Sequence, residues 1–159
     1  MESTAVLELK RPIKSIRLLV FRMDGTAIGF DTDQMEGMTD FGRVDVHESC
    51  LVTINELFGM GEESYNCSTP KVVFVKPLPG DGQSGVSGKR IGIVVETPED
   101  IVDVPVENIR PLPPVVRKHA HATGFWGAAL LNNGMVFIAD IYKIPIYRAL
   151  RGGGALVGN

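Results

Sequence analysis

Asp24-Gly25 separates two short apolar runs, Ile16 to Phe21 and Thr26 to Phe30. A tight turn between antiparallel strands needs positive φ, which Asp and Gly tolerate and β-branched or aromatic residues resist. A hairpin is therefore predicted near the start of the chain. The same punctuation recurs further on. Cys50 to Ile54, Lys71 to Lys76, Arg90 to Glu96 and Pro98 to Val104 read as strands. Gly124 to Leu131 and Met135 to Ile141 flank a second turn signal, Asn132-Asn133-Gly134. Asn55 to Met60 reads as a single turn closed by Gly59, and Ile146 to Leu150 as one helical turn. Asp31 to Met38 reads as a turn leading into an irregular segment, because Gly37 between Met35 and Met38 opposes a helix. Pro105, Pro111, Pro113 and Pro114 interrupt any ladder, since proline offers no N–H. His119 to Thr123 reads as a flexible loop. About seven or eight short strands with few helices predict an all-β fold of small barrels or a sandwich.

The polar stretch Gly61 to Pro70 is the expected crossing between two lobes, and Pro77 to Gly88 the long, mobile tip of a hairpin. At 159 residues with 44% apolar and 22% charged residues, the chain suits one compact unit or two small lobes sharing a core. A net charge of −3 gives no reason to expect nucleic acid as partner. No apolar run approaches the roughly 20 residues of a membrane span, so direct membrane insertion is not expected and the location is read as cytoplasmic. Cys50 and Cys67 are too few for a disulfide framework and are read as free thiols.

The order of these segments resembles the CheW-like chemotaxis coupling family. Leu19-Val20-Phe21-Arg22-Met23-Asp24-Gly25 followed by Ile28-Gly29-Phe30-Asp31 is similar to its opening strands. Arg90-Ile91-Gly92-Ile93-Val94-Val95-Glu96 resembles its VGIVVD strand, and Val106-Glu107-Asn108-Ile109-Arg110-Pro111-Leu112-Pro113 its EQIRPAP-like linker. Gly124 to Ile144 resembles its closing hairpin. The likeness covers residues 16–144, leaving 1–15 as an N-terminal tail and 145–159 as a C-terminal turn and tail. A first subdomain over 16–60 and a second over 70–144, with strands exchanged between them, follow from it.

The resemblance implies two intertwined five-stranded, SH3-like barrels around a shared core, and a non-enzymatic adaptor without cofactor. The implied partners are the regulatory domain of a CheA-type histidine kinase and the cytoplasmic tips of chemoreceptors. An interaction module of the same fold with another partner is the alternative. Met35, Met38 and Phe41 lie where the family places apolar contacts to the kinase, and methionine suits an adaptable surface; core packing is the competing reading. Between the second strand and the next apolar one the family carries a longer stretch ending in Asn-Leu-Arg-Gly, whereas Asp40 to Glu48 is short here. Gly42-Arg43-Val44 fits that element badly, so no receptor-contacting residue is assigned. The shortened first subdomain is expected to leave an open sheet edge, which a homodimer would cover.

Ligand-type side chains support a rival metal or redox reading. His47, Cys50, Cys67, His119 and His121 are present, yet His47 and Cys50 form one H-x-x-C pair without the second pair that zinc sites use. No metal is assigned. Ser64, Ser68, Ser84 and Ser87 sit in polar loops without a base, and Gly80 to Lys89 lacks the strand-to-helix setting of a phosphate loop. Asp140 and Glu96 read as solvated strand-end acids, and Phe125 and Trp126 as core or lobe-interface aromatics.

Overall fold

The computed structural model describes residues 14–59, 69–78, 89–96, 98–132 and 134–152. Six strands, β1 (Ser15–Met23), β2 (Thr26–Asp31), β7 (Pro98–Pro105), β8 (Ile109–Pro111), β9 (Phe125–Leu131) and β10 (Gly134–Ala139), form one sheet. Their order is β7-β1-β2-β10-β9-β8. The other four, β3 (Met35–Asp40), β4 (Ser49–Thr53), β5 (Lys71–Val75) and β6 (Arg90–Val95), form a second sheet in the order β3-β5-β6-β4. Three short α-helices, α1 (Ile54–Leu57), α2 (Pro114–Ala122) and α3 (Pro145–Arg151), and four 3-10 turns complete the described elements. The fold is all-β and barrel-like in two lobes, with six and four strands instead of five in each.

Both predicted hairpins form. Asp24 and Gly25 hold φ of 51° and 80° while Met23 faces Thr26. Leu131 faces Gly134, whose φ is 134°. β5 and β6 pair antiparallel, as expected of a hairpin whose tip lies outside the described residues. The chain changes sheet at the 3-10 turn Thr32–Gln34 and again between β6 and β7, not at Gly61 to Pro70. β4 and β5, on either side of that stretch, belong to the same sheet. Chain termini and middle are thereby sorted into different lobes, and the larger lobe takes strands from both ends of the chain.

Several strands are apolar on both faces, which explains why they read as unbroken runs instead of alternating ones. In β1, Leu18 and Val20 point into the larger lobe with Val104, Ala129, Val136 and Ile138. Their neighbours Leu19 and Phe21 point the other way, into a core shared with the smaller lobe. β5 and β6 repeat the arrangement: Val73, Val75, Ile91, Ile93 and Val95 join the shared core, while Val72, Phe74 and Val94 line the smaller lobe. Each lobe is narrow enough to need a glycine inside. A Cβ on Gly29 would stand 3.0 Å from Leu18 Cδ1, and one on Gly92 only 2.6 Å from Val72 Cγ1.

Two local expectations are corrected. His119 to Thr123 ends a helix, α2, in place of a loop. Pro114 at its first position has φ preset for helix and needs no N–H partner there, and Arg117 bonds back to the Leu112 carbonyl at 3.0 and 3.1 Å. Met35 to Met38 belongs to a strand, β3, despite Gly37, because pairing with β5 supplies its hydrogen bonds, with a shift of register between Met35 and Gly37. The segments that follow β2 and β10 carry a clasp joining the lobes. Gln34 donates to Asp140 at 2.7 Å and accepts from the Ile141 N–H at 3.0 Å, and the Tyr142 hydroxyl donates to the Lys76 carbonyl at 2.7 Å.

Candidate interaction surfaces

The smaller lobe presents an open strand flanked by apolar side chains. β3 is an end strand of its sheet, paired with β5 alone. Of the three residues singled out from the sequence, Met38 is 42% and Phe41 40% exposed, whereas Met35 packs against the shared core. Charges around them are tied down. Lys71 bonds the Asp40 carboxylate, and that hydrogen bond, followed by the Lys71 charge itself, holds the Asp40 pKa below the usual carboxylate value. Arg43 lies 3.9 Å from Asp40 and is the more exposed of the pair. Arg90 meets Glu36 at 3.0 Å and stacks 3.8 Å over the Phe74 ring.

Strand directions explain a trough beside β3. β3 and β5 are antiparallel, β5 and β6 are antiparallel, and β6 and β4 are parallel, so β3 and β4 run the same way. Residues 41–48 must therefore cross back along the open side of the sheet. They do so as a 3-10 turn, Phe41–Arg43, and further bends, with Val44 tucked against the Phe74 cluster. Between this connection and β3 lies a trough of about 420 Å³, with Phe74 and Arg90 from β5 and β6 among its lining residues.

A second surface lies on the larger lobe. There α2 stands off the β1–β2 hairpin and leaves a wide, mainly apolar trough of about 520 Å³, lined by Met23, Ile28, Phe58, Val116, Phe125 and Phe137 among others. Phe58 and Phe125 stack at 5.0 Å, fixing its floor. Phe125 thus serves at the junction of the lobes, as the sequence implied. Its neighbour Trp126 faces outward instead and is 40% exposed, because alternation along β9 turns successive side chains to opposite faces. The apolar residues of α2 are diluted among Arg117, Lys118, His119 and His121, and the rest of the lining comes from distant segments, so this trough has no local sequence signal.

The ligand-type residues are dispersed. His47 is exposed in the bend before β4, Cys50 is half-buried on β4, and His119 and His121 sit on α2. Burial pushes the Cys50 thiol pKa up, against a smaller pull from Lys89, which is the opposite of an activated thiolate. Among the described residues no three His, Cys, Asp or Glu side chains gather to hold a metal, and Cys67 lies outside them. Ser64, Ser68, Ser84 and Ser87 also lie outside the described residues. Asp140 is not a free strand-end acid: besides Gln34 it accepts the Tyr142 N–H at 3.1 Å and caps the 3-10 turn Ile141–Lys143. No described helix is long and apolar enough to cross a membrane.

No protein-family model matches the chain, and no curated protein sequence does either. Among solved structures it is similar to the scaffolding protein TtCheW from Thermoanaerobacter tengcongensis, with a TM-score of 0.56 over 82% of this chain and 94% of that one. The chain has a CheW-like fold. At 14% identity the likeness is one of fold, and it extends over nearly the whole of the scaffold protein.

Proposed function

We propose that the protein is a non-enzymatic scaffold in chemotaxis-type signalling, coupling chemoreceptors to the regulatory domain of a CheA-type histidine kinase. The observation that carries this reading is the fold likeness to a protein described as a scaffold, spanning 94% of that chain. An adaptor needs two surfaces far enough apart to be occupied together, and the two lobes each offer one. Met38 and Phe41 on the smaller lobe are the kinase-facing pair. Met35, also a candidate from the sequence, supports them from the core side. The trough beside α2 takes the receptor, whose helical tip would lay an apolar face on Met23, Phe58 and Val116. Apolar anchors ringed by paired charges are the usual composition of such contacts.

Calorimetry of the purified protein against the CheA regulatory domain of the same organism tests this. Saturable binding at micromolar affinity or tighter is expected, falling at least tenfold in the Met38→Glu, Phe41→Glu double variant with its unfolding transition in place. Undiminished binding by that variant removes the pair from the interface. No binding by the folded wild-type chain would mean that the fold serves a different partner.

A further inference from the structure

We infer that the smaller lobe takes up an extended, basic peptide as an added strand along the free edge of β3, in the trough between β3 and residues 41–48. This goes beyond the adaptor reading, because it assigns a mode of binding and a peptide chemistry whichever protein supplies the segment.

The two lobes treat their edges differently. In the larger lobe β7 carries Pro98 and Pro105 at its ends with Asp100 and Asp103 between them, and β8 is only three residues long and ends in Pro111. Proline, charge and brevity all blunt a sheet edge against pairing. β3 has none of these defences over Gly37 to Thr39, its one irregularity lying between Met35 and Gly37. Gly37, Met38 and Thr39 face the trough, there is no proline between Met35 and Asp40, and the two acids of the strand are engaged by Arg90 and by Lys71. Residues 41–48 follow the path a neighbouring strand would take but are bent into turns. The backbone groups on the outer side of β3 therefore face a trough and not another strand.

Charge selects the occupant. Arg90 is paired with Glu36 and stacked on Phe74, whereas exposed Arg43 lies 3.9 Å from an Asp40 that Lys71 already bonds, so Glu36, Asp40, Asp45 and Glu48 stand against Arg43, Lys71 and Arg90, four acids to three cations. On the opposite wall Asp45 and Glu48 are exposed and form no ion pair among the described residues. An incoming strand would turn one row of side chains toward Val44 and Phe74 and set Lys or Arg beside Asp45 and Glu48. Main-chain hydrogen bonds would supply affinity and the alternate side chains specificity. An antiparallel orientation is favoured, since that ladder is the more stable per residue.

The probe is a capped eight-residue peptide of alternating lysine and valine. Calorimetry measures its binding to the full chain, and amide exchange by NMR locates it. Saturable binding with slowed exchange confined to residues 35–40 is expected. The Asp45→Asn, Glu48→Lys variant, whose Asn keeps the acceptor that Asp45 offers the His47 N–H, should weaken binding about tenfold. N-methylation of every second peptide bond, which removes strand pairing and keeps the charge, should abolish it. Equal binding of the N-methylated peptide, equal binding of a glutamate-valine peptide, or protection on another strand each overturns the proposal. Concentration-dependent dimerisation that protects β3 without peptide would give the edge to a second copy and also overturns it. If the kinase domain binds through Met38 and Phe41 while the peptide does not bind, the added strand fails and the adaptor reading stands.

Discussion

The two lobes join their end strands in different ways. In the larger, the end strands β7 and β8 are neighbours in the chain, joined by the three-residue turn Val106–Asn108, and the Val106 N–H is held by the Lys14 carbonyl at 2.9 Å. In the smaller, β3 and β4 are also neighbours in the chain, and the eight residues 41–48 carry the chain between them. Strand direction does not separate the lobes, since the successive pairings make β7 and β8 run the same way, as β3 and β4 do. The difference lies in what joins the end strands: a three-residue turn in the larger lobe, and in the smaller a longer connection that leaves a trough beside β3. The lobes nevertheless share one core, in which Phe30 is fully buried between Phe21 and Phe58.

If that core makes the lobes a single folding unit, Phe30→Ala should cost about 3–5 kcal/mol in denaturant unfolding and leave a single transition. Two separated transitions would show that the lobes unfold independently and would break the comparison at its base. The interior glycines sharpen it. Gly92→Ala should cost about 1–3 kcal/mol, more than Gly29→Ala, because the added methyl meets Val72 and Leu51 at 2.6 and 2.9 Å in the narrower lobe, against 3.0 Å from Leu18 in the wider. The reverse order would make the larger lobe the tighter one. Tyr142→Phe should remove about 1 kcal/mol by losing the bond to Lys76 that ties the two sheets. Burial first, then Asp140, Asp31 and Glu36, raise the Tyr142 pKa above its ordinary value. A phenol harder to ionise in the fold than in the open chain contributes fully below about pH 10, and its contribution is lost as the pH rises further. The stability of the wild-type chain should fall with pH in that range, more steeply than that of Tyr142→Phe.

Much of the fold was legible because its signals are local. Asp24-Gly25 and Asn132-Asn133-Gly134 dictate backbone angles within a few residues, and runs such as KVVFV and RIGIVV suit few environments other than a strand covered on both faces. β3 was missed because MEGMTD has neither a β-branched run nor clean alternation, and its strand conformation depends on a partner more than thirty residues away, β5. α2 is masked in the sequence because the prolines that start it also interrupt strands. Of the candidate surface residues, Met38 and Phe41 are outward and Met35 inward, a distinction set by packing against the shared core and not by residue type. The clasp of Gln34, Asp140 and Tyr142 has no sequence signal, since Gln34 stands more than a hundred residues from Asp140 and Ile141, and Tyr142 is 66 residues from Lys76.

The amino-acid sequence by itself determined an all-β chain, where its hairpins turn, and the ordered set of segments that resembles a coupling scaffold, because turn chemistry and apolar runs act over a few residues. Which strands share a sheet, where the chain changes lobe, and that β3 and β4 run parallel and leave an edge open were decided by the tertiary structure. Those outcomes depend on pairings between distant segments, and short strands that are apolar on both faces do not specify their neighbours.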